Sequence, residues 1–272
     1  MRARIVLIFG VLAVASGCSG SGDAADVVAG FYPLAWAAQQ VGGPGLRVEN
    51  LTPAGAEPHD LEPSARDVKR IRDAGLVLYV RGFQPALERA LEGRVGPSLD
   101  VRGGSAGQDP HVWLDPVRFA AIARSIAREL GRTQAAGTVD GRLSVLDRAF
   151  RAGLASCRRR EIVTSHAAFG YLAARYGLRQ VSLAGLSPEA EPTPQALKRL
   201  VDTVRATGAT TVFTEPLVSP RLAETVARET GARTAILDPI EGLTTEQQRR
   251  GDDYLSIMGR NLTALRQALS CR

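Results

Sequence analysis

Histidine is scarce in this 272-residue chain. Only three occur: His59, His111 and His166. A metal-collecting histidine-rich tract is therefore excluded. Three cysteines are too few for a disulfide-rich scaffold. The apolar run at residues 5–14 is too short for a membrane-spanning helix, which needs about 20 residues.

Concentrated positive charge is also missing. The net charge is +6, but the longest basic run is Arg158 to Arg160, and the others are pairs such as Arg249 and Arg250. No basic stripe alternates with aromatic residues, so a nucleic-acid partner is not expected. With 44% hydrophobic and 23% charged residues, the composition is that of an ordinary globular protein.

The first residues have the pattern of an export signal. Arg2 and Arg4 precede the apolar run, and small residues lead to Cys18. The pattern resembles a bacterial lipobox, although Ala15 stands where leucine is usual. We predict a signal peptide over residues 1–17 and a lipidated, flexible tether over 18–25, which holds the protein outside the cytoplasm at the cell membrane. The alternative is an ordinary signal peptide with Cys18 incidental.

Two cysteines remain once Cys18 is assigned to lipidation. Outside the cytoplasm, Cys157 and Cys271 are more often paired than free. A bridge closing so long a loop would contribute about 4 to 5 kcal/mol in the chain-entropy model. We predict this disulfide, although the sequence alone does not bring the two positions together.

Strand-like and helix-like segments alternate along most of the mature chain, which predicts a parallel α/β architecture. The exception is residues 116–156, where apolar residues recur at helical spacing. We therefore predict two α/β lobes, each with a mostly parallel sheet flanked by helices, over 26–115 and 157–272. A long, rigid helical linker joins them, with Gly131 and Gly137 as breaks. Residues 245–269 read as one terminal helix.

All three histidines fall at the ends of predicted elements, not on apolar helix faces. Glu215 and Asp238 directly follow predicted strands. Ligands of parallel α/β sheets bind beyond the carboxyl ends of the strands, so these side chains are candidates for one site. Taken singly, each histidine is best interpreted as an ordinary hydrogen-bonded residue, and each acid is best interpreted as a helix cap or a solvated group. Together they favour a metal site.

These residues lie in segments that resemble a known family, the bacterial cluster-A metal-binding proteins of ABC importers for zinc and manganese. The resemblance covers essentially the whole mature chain. Its segments are residues 58–64 (PHDLEPS), 109–116 (DPHVWLDP), 164–172 (TSHAAFGYL), 213–216 (FTEP) and 237–239 (LDP). It implies two lobes with the metal in the cleft between them.

Carried over by position, the resemblance places the metal ligands at His59, His111, His166 and Asp238. Glu215 would support the site without binding metal. Three imidazoles and one carboxylate suit Zn²⁺, whereas a set richer in oxygen suits Mn²⁺. Residues 101–108 contain no histidine, unlike the long histidine-rich loop of many zinc-uptake relatives, and this departure weakens the zinc assignment slightly.

The resemblance implies a monomeric solute-binding lipoprotein that passes zinc to the permease of an ABC importer, and not an enzyme. Three alternatives remain at this stage: a manganese-specific homologue, a metal-binding surface adhesin of the same fold, and a zinc hydrolase with Glu215 as general base. A hydrolase would need an open metal position, which a fourth protein ligand would close.

Overall fold

The chain folds around two separate four-stranded parallel sheets. A computed structural model describes residues 24–103, 108–188 and 192–272. The first sheet has the order β2-β1-β3-β4 and the second β6-β5-β7-β8. The strands are β1 (Val27–Ala29), β2 (Val48–Asn50), β3 (Leu76–Tyr79), β4 (Ser98–Asp100), β5 (Glu161–Thr164), β6 (Arg179–Ser182), β7 (Thr211–Thr214) and β8 (Arg233–Ile236). The predicted two-lobed α/β fold is confirmed.

Helices flank both sheets and connect them. In the first lobe they are α1 (Tyr32–Gly42), α2 (Ala65–Asp73) and α3 (Pro85–Leu91). The linker contains α4 (Pro116–Glu129) and α5 (Ala136–Leu154). In the second lobe they are α6 (Gly170–Tyr176), α7 (Pro194–Thr207), α8 (Arg221–Thr230), α9 (Thr245–Arg250) and α10 (Tyr254–Leu269).

Local sequence signals account for several helix ends. Ser64 and Asp67 form a reciprocal capping box that starts α2, satisfying backbone N–H groups that lack partners inside the helix. Asp115 accepts hydrogen bonds from the first turn of α4, and Pro116 occupies the position where proline is best tolerated. Gly208 ends α7 in the left-handed conformation, which glycine adopts without steric cost.

The linker is a pair of packed helices that shares one core with both lobes. Helix α4 packs on α5 and α1, and α5 also packs on α6 and α10. The fully buried rings of Phe119, Phe150 and Tyr254 belong to a cluster that extends from β1 to β5. Burying one such side chain contributes about 1.5 to 3 kcal/mol. The lobes are therefore joined by a continuous apolar core.

Three details differ from the sequence-based expectations. Strand β4 was not expected, because its three residues give too little pattern to recognise. Gly131 ends the first linker helix with a φ of 64°, whereas Gly137 lies inside α5 and breaks nothing. The expected terminal helix is two helices, because Gly251 ends α9 with a φ of 70° and Asp253 caps α10.

The remaining predictions concern the disulfide and the N-terminal segment. A disulfide joins Cys157, just after α5, to Cys271, just after α10. The signal peptide, Cys18 and most of the tether lie outside the described residues. Within the described ranges, no helix is both long and apolar enough to cross a lipid bilayer.

Candidate metal centre

Each histidine is held by a short turn near the carboxyl edge of a sheet. His59 lies in a 3₁₀ turn (Pro58–Asp60), whose N-cap residue Glu57 accepts a hydrogen bond from the His59 backbone N–H. His111 directly precedes a second 3₁₀ turn (Val112–Leu114). His166 follows β5 by two residues. Parallel pairing aligns the strand ends, so each lobe presents its turns on one side.

A carboxylate from a fourth segment completes the cluster. Glu241 follows β8, and its Oε1 lies 3.1 Å from His111 Nε2, 3.2 Å from His166 Nε2 and 3.5 Å from His59 Nε2. The Nε2 atoms of His111 and His166 are 3.4 Å apart. One donor atom from each of the four residues lies within 4.8 Å of all the others. The two lobes thus contribute two side chains each.

These separations suit a tetrahedral metal ion. Zinc bound at 2.0 to 2.1 Å by four nitrogen or oxygen donors has donors about 3.3 to 3.4 Å apart, by tetrahedral geometry. The four measured contacts, 3.1 to 3.5 Å, bracket that spacing. Four of the six donor-to-donor separations therefore already match those around a bound zinc ion, and the other two lie within 4.8 Å.

The remaining ring nitrogens of two histidines contact carboxylates. Asp109 Oδ1 lies 2.7 Å from His111 Nδ1, and Glu215 Oε2 lies 2.7 Å from His166 Nδ1. Glu215 Oε1 also accepts a hydrogen bond from the His166 backbone N–H. A carboxylate at Nδ1 keeps that nitrogen protonated and leaves Nε2 free for a metal. Glu215 thus contacts the ring nitrogen of His166 that does not face Glu241.

The electrostatics of the metal-free cluster follow from burial and these contacts. Burial lowers the pKa of His166, but Glu215 and Glu241 outweigh it and raise that pKa to about 10. Burial acts on His111 in the same way, yet Asp109 and Glu241 leave its pKa raised. For Glu241, burial raises the pKa, but contacts with the three histidines hold it well below the usual range. Without metal, Glu241 is thus an anion beside the protonated imidazole of His166.

A further carboxylate lies at the edge of the cluster. Burial, and then the charge of Glu241, raise the pKa of Glu57 to about 8. Its contact with the His59 backbone N–H, at 3.2 Å, ties this side chain to the turn that carries the histidine. Glu57 therefore supports the position of His59.

The expectation for Asp238 requires a correction, because the structure does not bring this residue among the imidazoles. The cluster contains Glu241 in its place. Both carboxylate oxygens of Asp238 accept hydrogen bonds instead, from the backbone N–H of Ile240 and from the Gln247 amide. Position in the motif indicated Asp238, but the chain turns after it and presents the acid three residues later.

Two acids that contact the imidazole rings were not identified from sequence, Glu241 and Asp109. Both had a visible signal: Glu241 shares a short loop with Asp238, and Asp109 belongs to the same motif as His111. Choosing between the two loop acids requires the backbone conformation at Ile240, which has a φ of 57°. No residue pattern along the chain reports that angle.

Comparisons with known proteins found relatives that match most of the chain. A family model described as zinc-uptake complex component A, periplasmic, matches residues 27–268. The zinc-binding lipoprotein AdcA of Streptococcus pneumoniae is 35% identical over 277 residues, which cover 89% of this chain and 55% of that protein. The chain therefore spans about half the length of that curated relative.

Solved structures with the same fold include two streptococcal proteins. The laminin-binding protein Lmb of Streptococcus agalactiae, described as bifunctional with adhesin and metal-transporting activity, superposes with a TM-score of 0.82 at 31% identity, covering 90% of this chain and 99% of that one. The Zn(II)-bound ZnuA-like domain of Streptococcus pneumoniae AdcA gives 0.78 at 34% identity, covering 91% and 99%.

Proposed function

This chain belongs to the family of periplasmic A components of zinc-uptake complexes, and we propose that it captures a divalent transition-metal ion, foremost zinc, and delivers it to an ABC-type membrane importer. The observation that carries the proposal is the convergence of His59, His111, His166 and Glu241 on one point. The metal is the cargo of the protein and takes no part in a reaction.

The donor set favours zinc over manganese. Three imidazole nitrogens and one carboxylate oxygen suit zinc, whereas manganese is better served by sites rich in carboxylate and carbonyl oxygen. The donors belong to turns between elements with a buried core, so the protein holds them close together before the ion arrives. The name of the AdcA relative, a zinc-binding lipoprotein, agrees with this choice.

Delivery requires the protein to stay near the importer. An N-terminal lipid on Cys18 would hold a monomer at the outer face of the cell membrane, and residues 18–25 would act as the tether. We infer this arrangement from the sequence pattern that precedes Cys18 and from the lipoprotein among the relatives. The tether then allows the cleft to meet the permease.

An adhesin is the second candidate function. The observation in its favour is the likeness to Lmb, which is described as both adhesin and metal transporter. Host-protein binding would use the outer surface of the lobes and not the buried centre, since His111 and His166 are fully buried. Metal capture and adhesion are therefore compatible in one molecule.

A zinc hydrolase is the less favourable alternative. Catalytic zinc keeps one coordination position for water. Four protein donors would fill all positions of a tetrahedral zinc ion and leave none for water. Glu215, the candidate general base, lies against His166 Nδ1 and not on the Nε2 side where a metal would bind. Assays of esterase and phosphatase activity with and without zinc test this alternative.

The test of the proposed function is metal content and preference. Native mass spectrometry and elemental analysis of protein purified without chelator should find one zinc per chain. Equilibrium competition should rank zinc above manganese. The variant His166→Ala should lose tight binding, while the control Lys198→Ala, on the exposed face of α7, should bind as the parent protein does. A parent protein that binds no divalent metal defeats the proposal.

A further inference from the structure

The segment that carries Glu241 into the centre has an uncommon backbone. Between β8 and α9 the chain turns at Ile240, whose φ of 57° lies in the left-handed region. Among the non-glycine residues that the structure describes, only Ser270 shares a positive φ. A β-branched residue adopts this conformation rarely, because its side chain crowds the backbone. Other contacts must therefore hold Ile240 there.

Asp238 supplies the nearest of these contacts. Its Oδ1 accepts a hydrogen bond of 2.7 Å from the backbone N–H of Ile240. This bond to the residue two positions later forms an Asx-turn. Its Oδ2 accepts a hydrogen bond of 2.6 Å from the side-chain amide of Gln247 on α9. The two oxygens thus connect the turn to a helix.

Asp238 is itself fixed from a second direction. The Asn261 side chain on α10 accepts a hydrogen bond from the Asp238 backbone N–H at 2.9 Å and donates one to its carbonyl oxygen at 2.7 Å. Gln247 is held in turn by the N–H of Thr244. Asp238, Gln247 and Asn261 are all buried, so water does not compete for these bonds.

We propose that Asp238 is a positioning residue for metal capture: it holds Ile240 in the left-handed conformation and so directs Glu241 onto the three imidazoles. Asp238 does not contact the metal. The inference rests on the proposed function, because it assigns Glu241 as the carboxylate donor of that site.

A double-mutant cycle of Asp238 and Glu241 distinguishes a positioning residue from a direct metal ligand. A residue that acts through Glu241 has nothing left to position once Glu241 is replaced, so the two substitutions are not additive. Two independent donors would give multiplied losses of affinity. A residue that only stabilises the fold would lower the melting temperature without changing zinc affinity.

The experiment measures zinc affinity by chelator competition for five proteins besides the parent. Asp238→Ala should weaken binding about 10- to 100-fold, as loss of an outer support typically does. Asp238→Asn keeps an oxygen for the Ile240 N–H and should recover most of that loss. Glu241→Ala and Glu241→Ala with Asp238→Ala should bind equally weakly. The control Glu246→Ala removes an exposed carboxylate from α9 and should bind normally.

A second readout uses metal-free protein. Amide hydrogen exchange at Ile240 should be slow in the parent and in Asp238→Asn, and fast in Asp238→Ala. If Asp238→Ala does not fold, Gln247→Leu releases Oδ2 and should weaken zinc binding in the parent background but not in Glu241→Ala. Multiplied losses in the double variant, or unchanged affinity in Asp238→Ala, would overturn the positioning role. Absence of zinc binding by the parent would instead defeat the proposed function.

Discussion

The indole N–H of Trp113 donates a hydrogen bond of 2.8 Å to the carbonyl oxygen of Pro239, and these two residues approach the metal centre from opposite lobes. Trp113 is fully buried, and its own carbonyl oxygen accepts a hydrogen bond of 2.6 Å from the Tyr254 hydroxyl. Trp113 thus fastens the turn after His111 to the loop before Glu241. The two sides of the cleft are therefore already joined by a hydrogen bond in the metal-free protein.

This relationship predicts that metal loading changes the shape of the protein very little. Hinged binding proteins close through a few residues that absorb backbone rotation, whereas here two packed helices and a continuous core connect the lobes. Small-angle X-ray scattering should give the same radius of gyration for metal-free and zinc-loaded protein. A clear decrease on loading would show a hinged clamp and contradict the prediction.

We predict that Glu215→Gln weakens zinc binding less than His111→Ala. Glu215 acts on the metal only through His166 Nδ1, so its loss should reduce affinity by about 10- to 100-fold. Removal of the His111 imidazole eliminates a donor and should reduce affinity further. Competition titrations of both variants check the order. Equal losses would indicate that Glu215 binds the metal directly.

Zinc binding should release protons even at mildly alkaline pH. The pKa of His166 is raised to about 10 in the metal-free site, so this imidazole carries a proton at pH 8 that the metal must displace. Three histidines with an ordinary pKa of about 6.5 would together release only about 0.1 proton at that pH. We expect about one proton or more per zinc at pH 8, with the release declining only near pH 10.

Isothermal titration calorimetry in buffers of different ionisation enthalpy measures this release. Apparent zinc affinity should rise about tenfold per pH unit for each proton displaced. It should fall steeply as the pH drops from 7 to 5, where protons compete at all three imidazoles. Heats that do not depend on the buffer at pH 8 would contradict the charge state described for the metal-free cluster.

The disulfide should stabilise the fold without affecting the metal centre. Cys157 and Cys271 are 114 residues apart and lie near the amino edge of the second sheet, whereas the donors lie beyond its carboxyl edge. In the chain-entropy model, replacing both cysteines by serine should lower the free energy of unfolding by about 4 to 5 kcal/mol. Denaturant unfolding measures this change. Zinc affinity should match that of the parent protein, and a large loss would link the bridge to the site.

The sequence by itself determined the architecture and three of the four residues in the candidate metal cluster. Parallel α/β lobes follow from the alternation of short apolar strands with capped helices. His59, His111 and His166 stand in turns at strand ends, where such folds bind ligands. Helix α7 begins at Pro194 and ends before Gly208, two residues that mark a helix start and stop locally. These features depend on near neighbours in the chain, so the sequence reports them directly.

Only the tertiary structure decided which acid faces the imidazoles. Asp238 and Glu241 share one loop, and their roles depend on the left-handed backbone of Ile240. Hydrogen bonds from Trp113 to Pro239 and between Asn261 and Asp238 hold the residues on which this turn depends, and both come from distant parts of the chain. A helix start is stabilised by bonds within one turn, whereas this loop is stabilised by bonds to other elements. Its geometry therefore exists only when the elements have packed together.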